Sequence, residues 1–104
     1  DTVFYFDFDK AVLKDESRAA LMEHARSLKE SPRSIRLEGH ADERGTREYN
    51  MALGERRADS VKEFLMLEGV SAGLIEVVSY GEERAAAYGS NDESWGMNRR
   101  VELK

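Results

Sequence analysis

The sequence predicts an α+β two-layer sandwich of order β-α-β-α-β-β, with two long helices packed on one face of a mixed sheet. Three observations carry this. Segments 3–8, 35–39 and 98–103 alternate apolar and polar residues with the period of a half-buried strand. Two helical stretches separate the first three strand segments, each long enough to cross between parallel strands. Turn signals such as Ser31-Pro32 and Gly69 punctuate the chain between these elements.

Each element has its own local reason. In 3–8, Phe4, Phe6 and Phe8 share one face, and Val3, Tyr5 and Asp7 share the other. Asp9-Lys10 leaves the strand, and Asp15 is the expected N-cap of a helix reaching about residue 30, with Leu21, Ala25 and Leu28 as its apolar stripe. Ser31-Pro32 ends it, because the residue before a proline is pushed out of the helical region. Ile35, Leu37 and Gly39 then alternate with Arg36 and Glu38. A second helix is expected over 46–68, closing at Gly69 as its C′ residue. Ser71 can cap a short turn before the apolar run 74–78, a third strand that ends near Tyr80-Gly81. Residues 82–98 are mixed, with a helical turn expected at 91–95, and Val101 and Leu103 give the last strand its inward face. The final strand is the one free to pair antiparallel.

The 104 residues fit one domain, 1–104, without repeats, linkers or low-complexity segments. A net charge of −5 argues against non-specific nucleic-acid binding, since phosphates require a basic surface. No apolar run has the length of a membrane span and no signal peptide is present, so the domain itself is not expected to insert in a membrane. Because the chain opens directly on a strand-like segment, it reads as an excised domain or mature fragment. The absence of cysteine removes disulfides, thiolate metal sites and thiol nucleophiles, and leaves the redox compartment open.

The run 39–61, GHADERGTREYNMALGERRADSV, holds the principal candidate site. On a helical wheel Asn50, Leu53, Arg57, Val61 and Phe64 share one face, which puts Arg57 in the middle of the core-facing stripe. A buried guanidinium is expected to need an acidic partner, and the upstream loop offers Asp42 and Glu43. Two readings of Asp42 and Arg57 follow. They neutralise each other and tie the loop to the helix, or they serve a zwitterionic ligand, the carboxylate taking an ammonium and the guanidinium a carboxylate. Asp42 lies just beyond a strand end, a usual place for a pocket, and Asp9 converges on the same edge if the first two strands run parallel. Asn50 is expected to hydrogen-bond loop backbone and fix the Asp42 loop, and Gly45 to supply a positive φ.

Other chemistry is poorly supported. His40-x-Asp42 hints at a metal, but only one other histidine exists, His24, which reads as a helix-surface or core-edge residue. Transition metals need three or four convergent ligands, so no metal or other cofactor is assigned. Ser79, Ser90 and Ser94 lack a nucleophile-elbow setting, and carboxylate pairs drawn from Asp9, Asp42 and Glu43 are what any acidic chain of this size permits. No catalytic residue is assigned and the chain does not read as an enzyme. One of Arg99 and Arg100 must face the covered or ligand side of the sheet, where an ion pair to Glu76 or another strand neighbour competes with ligand contact. Tyr88 and Trp95 close the core or belong to a protein-binding surface.

At FYFDFDK (4–10), LEGHADERGTREYNMALGERRADSVKEFL (37–65), VVSYGEE (77–83) and NRRVEL (98–103) the chain resembles the OmpA-like peptidoglycan-binding domain. The motifs stand in the right order over nearly the whole chain, and the step from the loop Asp to the helix Arg of N-x-x-L-x-x-x-R-A agrees with the family pattern. The resemblance implies non-covalent binding of peptidoglycan peptide stems, chiefly meso-diaminopimelate. Asp42 and Arg57 match the diaminopimelate-binding pair, and Phe8 and Asp9 match the first-strand segment that lines the same pocket. Leu53 matches an apolar pocket residue and Asn50 the Asn that supports the loop. Many members have Thr where this chain has Ala41, so a hydroxyl contact is absent here. The resemblance further implies a place at the periplasmic face of the outer membrane through a lipid anchor outside this chain. It also implies a tether to the cell wall within the Tol system, and as an alternative role the docking of TolB or another envelope partner through the same surface.

Overall fold

The computed structural model describes residues 1–104. The elements are β1 (Val3–Tyr5), α1 (Asp15–Glu30), β2 (Ile35–His40), α2 (Arg47–Leu67), a 3₁₀ turn (Ala72–Leu74), β3 (Ile75–Gly81), α3 (Asp92–Asn98) and β4 (Arg100–Leu103). The sheet order is β1-β4-β2-β3. Strand β4 runs antiparallel to both β1 and β2, and β2 runs parallel to β3. The first three strands therefore point the same way, and the last is slotted between β1 and β2. The architecture is the expected mixed sheet with its two long helices on one side.

The core lies between that sheet face and the helices. Leu21, Ala25 and Leu28 of α1 and Ala58, Val61 and Leu65 of α2 meet Phe4, Phe6, Ile35, Leu37, Ile75 and Val101. Burying a side chain of this size contributes roughly 1.5–3 kcal/mol each. The α2 stripe runs through Asn50, Leu53, Arg57, Ala58, Val61 and Leu65, with Phe64 at its margin. Strand β2 comes unusually close to α2: a Cβ placed on Gly39 would sit 1.8 Å from the Gly54 carbonyl oxygen, and one on Gly54 would sit 2.4 Å from Ser79 Oγ. Only paired glycines let the helix backbone rest on the strand, and this brings the α2 N-terminal half over the end of β2.

Several local expectations shift. Strand β1 ends at Tyr5, so Phe8 is not a core residue but stands 55% exposed beyond the strand. The chain turns there through Asp9, whose φ of 59° ends the extended run. Lys14, not Asp15, occupies the N-cap of α1 with no side-chain cap bond, and Asp15 lies in the first turn, where its charge favours the helix dipole. Thr46 caps α2, its Oγ1 accepting from Tyr49 N at 3.1 Å. Gly69 follows α2 with φ 102°, and Val70 N donates to Leu65 O at 2.9 Å, a Schellman-type closure. The helical turn expected at 91–95 is a longer helix, α3, capped by Asn91 Oδ1 accepting from Ser94 N.

Candidate functional site

The turn after β1, the end of β2 and the first turns of α2 meet at one end of the sheet, and Arg57 joins them. It is fully buried. Its Nε donates to Lys10 O at 2.8 Å, and its two terminal nitrogens donate to His40 O at 2.9 Å and Asp7 O at 3.1 Å. The left-handed Asp9 is what aims the carbonyls on either side of it at the guanidinium. The expected acidic partner is thus absent: three backbone carbonyls, two from the turn after β1 and one from the last residue of β2, meet Arg57, and no ion pair to Asp42 or Glu43 forms. Desolvation, then the nearby Arg99, push its pKa down to about 10, against the pull of Asp42 and Asp9, so it stays charged at neutral pH.

Asp42 is paired elsewhere. It accepts from the Arg44 backbone N–H at 2.9 Å, from Arg44 Nε at 3.2 Å and from a terminal Arg44 nitrogen at 2.9 Å. Arg99 approaches the same carboxylate at 3.5 Å while its Nε donates to Phe6 O at 2.9 Å. Burial raises the Asp42 pKa, but the Arg44 bonds and charge together with Arg99 outweigh it and hold the carboxyl below its ordinary value. The Arg44 guanidinium is itself stacked between two rings, 4.0 Å from the centroids of Phe8 and Trp95. Trp95 Nε1 and Ser90 Oγ in turn donate to Glu43, anchoring the connection after β3 to the loop after β2.

Phe8, Asp9, Ala41, Asp42, Arg44, Gly45, Tyr49, Asn50, Leu53 and Arg57 line one cavity of about 240 Å³. All six residues singled out from the sequence, Asp42, Arg57, Phe8, Asp9, Leu53 and Asn50, are therefore brought together. Asp9 is held by the Tyr49 hydroxyl. Gly45 has φ 102°, the conformation expected of it. Asn50 is buried, but its Nδ2 donates to Glu82 Oε1 at 2.8 Å and not to the 42–45 loop backbone, because the α2 backbone at Asn50 and Met51 packs closely on Gly81, the residue before Glu82. Arg44 is the residue at the site that sequence reasoning did not place there, and its signal was its position two residues after Asp42. One of Arg99 and Arg100 was expected to face the covered or ligand side; the slotting of β4 makes that residue Arg99, which meets Asp42 and Phe6 O.

His40 and Asp42 part company. Gly39 faces α2, so His40 projects from the opposite sheet face, 5.6 Å from the Tyr80 ring and 4.0 Å from Glu102. Glu38, His40 and Glu102 cluster there, yet Arg36, Arg100 and Lys104 already neutralise both carboxylates, which disfavours a cation. The partner of Arg100 is Glu102 on its own strand and not Glu76, which sits on β3 with β2 intervening. His24 is at the core edge, with its ring edge-on to Phe4 at 6.0 Å. Neither aromatic of the last connection enters the core: Tyr88 is 87% exposed and Trp95 stacks on Arg44.

No helix is long and apolar enough to cross a membrane. The chain is 58% identical to the peptidoglycan-associated lipoprotein of Pseudomonas aeruginosa over 103 residues, covering 99% of this chain and 61% of that protein. It is 48% identical over 102 residues to the protein of the same name from Legionella pneumophila, covering 97% and 58%. The chain thus spans about three-fifths of these relatives. The crystal structure of the peptidoglycan-associated lipoprotein from Burkholderia pseudomallei superposes with a TM-score of 0.97 at 45% identity, covering 99% of this chain and 88% of that one. The cell wall anchor of the T6SS from Pseudomonas aeruginosa superposes with a TM-score of 0.79 at 27% identity, covering 95% and 72%. The OmpA family model matches residues 5–99, and on this match and these identities the chain belongs to the OmpA family.

Proposed function

We propose that this chain binds peptide stems of peptidoglycan non-covalently, seating the side-chain end of meso-diaminopimelate in the cavity between the 7–10 turn and α2. One observation carries the reading: Asp42 and Arg57 line the same cavity without pairing to each other. A zwitterion offers an ammonium to Asp42, with Asp9 beside it, and a carboxylate to the positive charge beneath. Arg57 has five N–H donors and spends three on carbonyls, so two are left for a ligand. Leu53 and Phe8 supply apolar walls for the methylene chain between the charges. Since Arg57 is fixed by packing and by its carbonyl partners, little entropy is lost on binding. The names of the relatives support the same substrate class, and the chain acts by binding, not catalysis.

In the whole protein this binding would tether the outer membrane to the wall from the periplasmic side, through a lipid anchor of the kind the relatives' name denotes. The test is retention on purified sacculi. Asp42→Asn is expected to lose most retention while keeping its fold; full retention by that variant would remove the proposed site. A second reading has TolB docking at the same edge, favoured by the half-exposed rings of Phe8 and Tyr49 at the cavity. A TolB pull-down with excess muropeptide separates the two, because a shared surface requires competition.

A further inference from the structure

We infer that Arg44 is a selectivity gate on this cavity, an internal cation that holds the ammonium position on Asp42 and yields it only to a ligand that also brings a carboxylate. The inference rests on the peptidoglycan reading above. Asp42 is only 4% exposed, and the group that covers it from the solvent side is Arg44, through one backbone and two side-chain bonds. An incoming ammonium therefore cannot reach the carboxylate while Arg44 stays in place.

The cations around the site differ in how firmly they are held. Arg57 is buried and tied to three carbonyls, and Arg99 is tied to Phe6 O. The Arg44 side chain is 33% exposed, and Asp42 is its only hydrogen-bond partner. Its other contacts are the faces of Phe8 and Trp95, which attract a cation but accept no directed hydrogen bond of carboxylate strength. Of the cations at this site, Arg44 is the one that can leave.

The exchange favours one ligand class. A ligand with an ammonium alone replaces a two-pronged guanidinium contact with a single-point one, and sends Arg44 out unpaired. A ligand carrying a carboxylate beside the ammonium brings two acceptor oxygens, enough to face Arg57 below and still give the released Arg44 guanidinium a charged partner. The Phe8–Trp95 cleft keeps Arg44 near enough to take it. Diaminopimelate meets this condition at its side-chain end; lysine, which lacks the second carboxylate, does not. Discrimination thus comes from a penalty set against the wrong ligand as much as from contacts to the right one.

Calorimetric titration with two synthetic stem tetrapeptides, identical except for meso-diaminopimelate or lysine at the third position, tests the gate. The wild type is expected to prefer the diaminopimelate peptide by about tenfold or more. Arg44→Ala and the longer Arg44→Gln should bind the lysine peptide more tightly than the wild type does, shrinking the preference to about threefold or less. An unchanged preference overturns the gate, and so does a preference that shrinks only because the diaminopimelate peptide binds more weakly. In both cases the peptidoglycan reading stands, provided Asp42→Asn abolishes binding. No binding by the wild type, or undiminished binding by Asp42→Asn, overturns the reading and the gate with it.

Discussion

Arg57 and Asp42 face one cavity but answer to different partners: Arg57 to the carbonyls of Asp7, Lys10 and His40, Asp42 to Arg44 and Arg99. The two charges are held apart by separate networks, so neither is spent on the other. On the proposed reading, a ligand with both signs of charge finds Arg57 and Asp42 already ordered, with only Arg44 to displace.

The Arg57 network makes this residue structural as well as functional. Arg57→Ala removes a buried guanidinium and strands three carbonyls, and is expected to cost roughly 3–5 kcal/mol in urea unfolding. Arg57→Lys keeps the charge but cannot reach three acceptors in one plane, so an intermediate loss is expected. Equal stability of Arg57→Ala and wild type would show that the carbonyls are satisfied in another way. For binding assays Asp42→Asn is accordingly the cleaner variant.

The contact of β2 with α2 depends on two glycines. Gly39→Ala drives a methyl into the Gly54 backbone and is expected to destabilise by about 3 kcal/mol or more. Gly54→Ala meets chiefly the Ser79 hydroxyl, a smaller and movable obstacle. Ser79→Ala in the Gly54→Ala background should recover part of the loss, measured as a coupling energy in a double-mutant cycle. Zero coupling would place the strain elsewhere.

His40 predicts a pH dependence of stability. Desolvation, then the charge of Arg100, outweigh the pull of Glu102 and lower its pKa from 6.5 to about 4. Both ring nitrogens are buried without a hydrogen-bond partner. Between these values the unfolded chain binds the proton that the folded chain refuses, so stability is complete above pH 6.5 and falls as pH drops toward about 4. The full effect is on the order of 3 kcal/mol. His24, lowered by desolvation and then by the N-terminal charge, adds a smaller slope of the same sign. Melting curves at pH 7 and 5 should differ much less in His40→Phe than in the wild type.

Ligand binding should not follow that titration. Asp42 keeps its charge well into acid because Arg44 and Arg99 outweigh the effect of its burial. Affinity for a diaminopimelate peptide is expected to be flat from pH 8 to about 5 and to fall only below the ordinary carboxylate range, as Asp42 takes up a proton. A midpoint near pH 6.5 in peptide titrations would assign the dependence to histidine instead.

Much of this was legible in the sequence because periodicity reports burial directly. The α2 stripe placed Arg57 among core residues, Gly45 and Gly69 marked positive-φ positions, and strand alternation gave the sheet. The boundaries at Phe8 and Asp15 were not legible, since apolar alternation continues past the last ladder bond and an acidic residue suits both the cap and the first turn. The sequence by itself determined the composition of the site: an arginine on a buried stripe downstream of an acidic loop, on a β-α-β-α-β-β chain. Only the tertiary structure decided who pairs with whom. The link from α3 into strand β4 sets Arg99 beside Asp42, and the turn through Asp9 presents carbonyls to Arg57. Hydrogen-bond partners distant in sequence are chosen by where strands end, and no pattern of neighbouring residues records that.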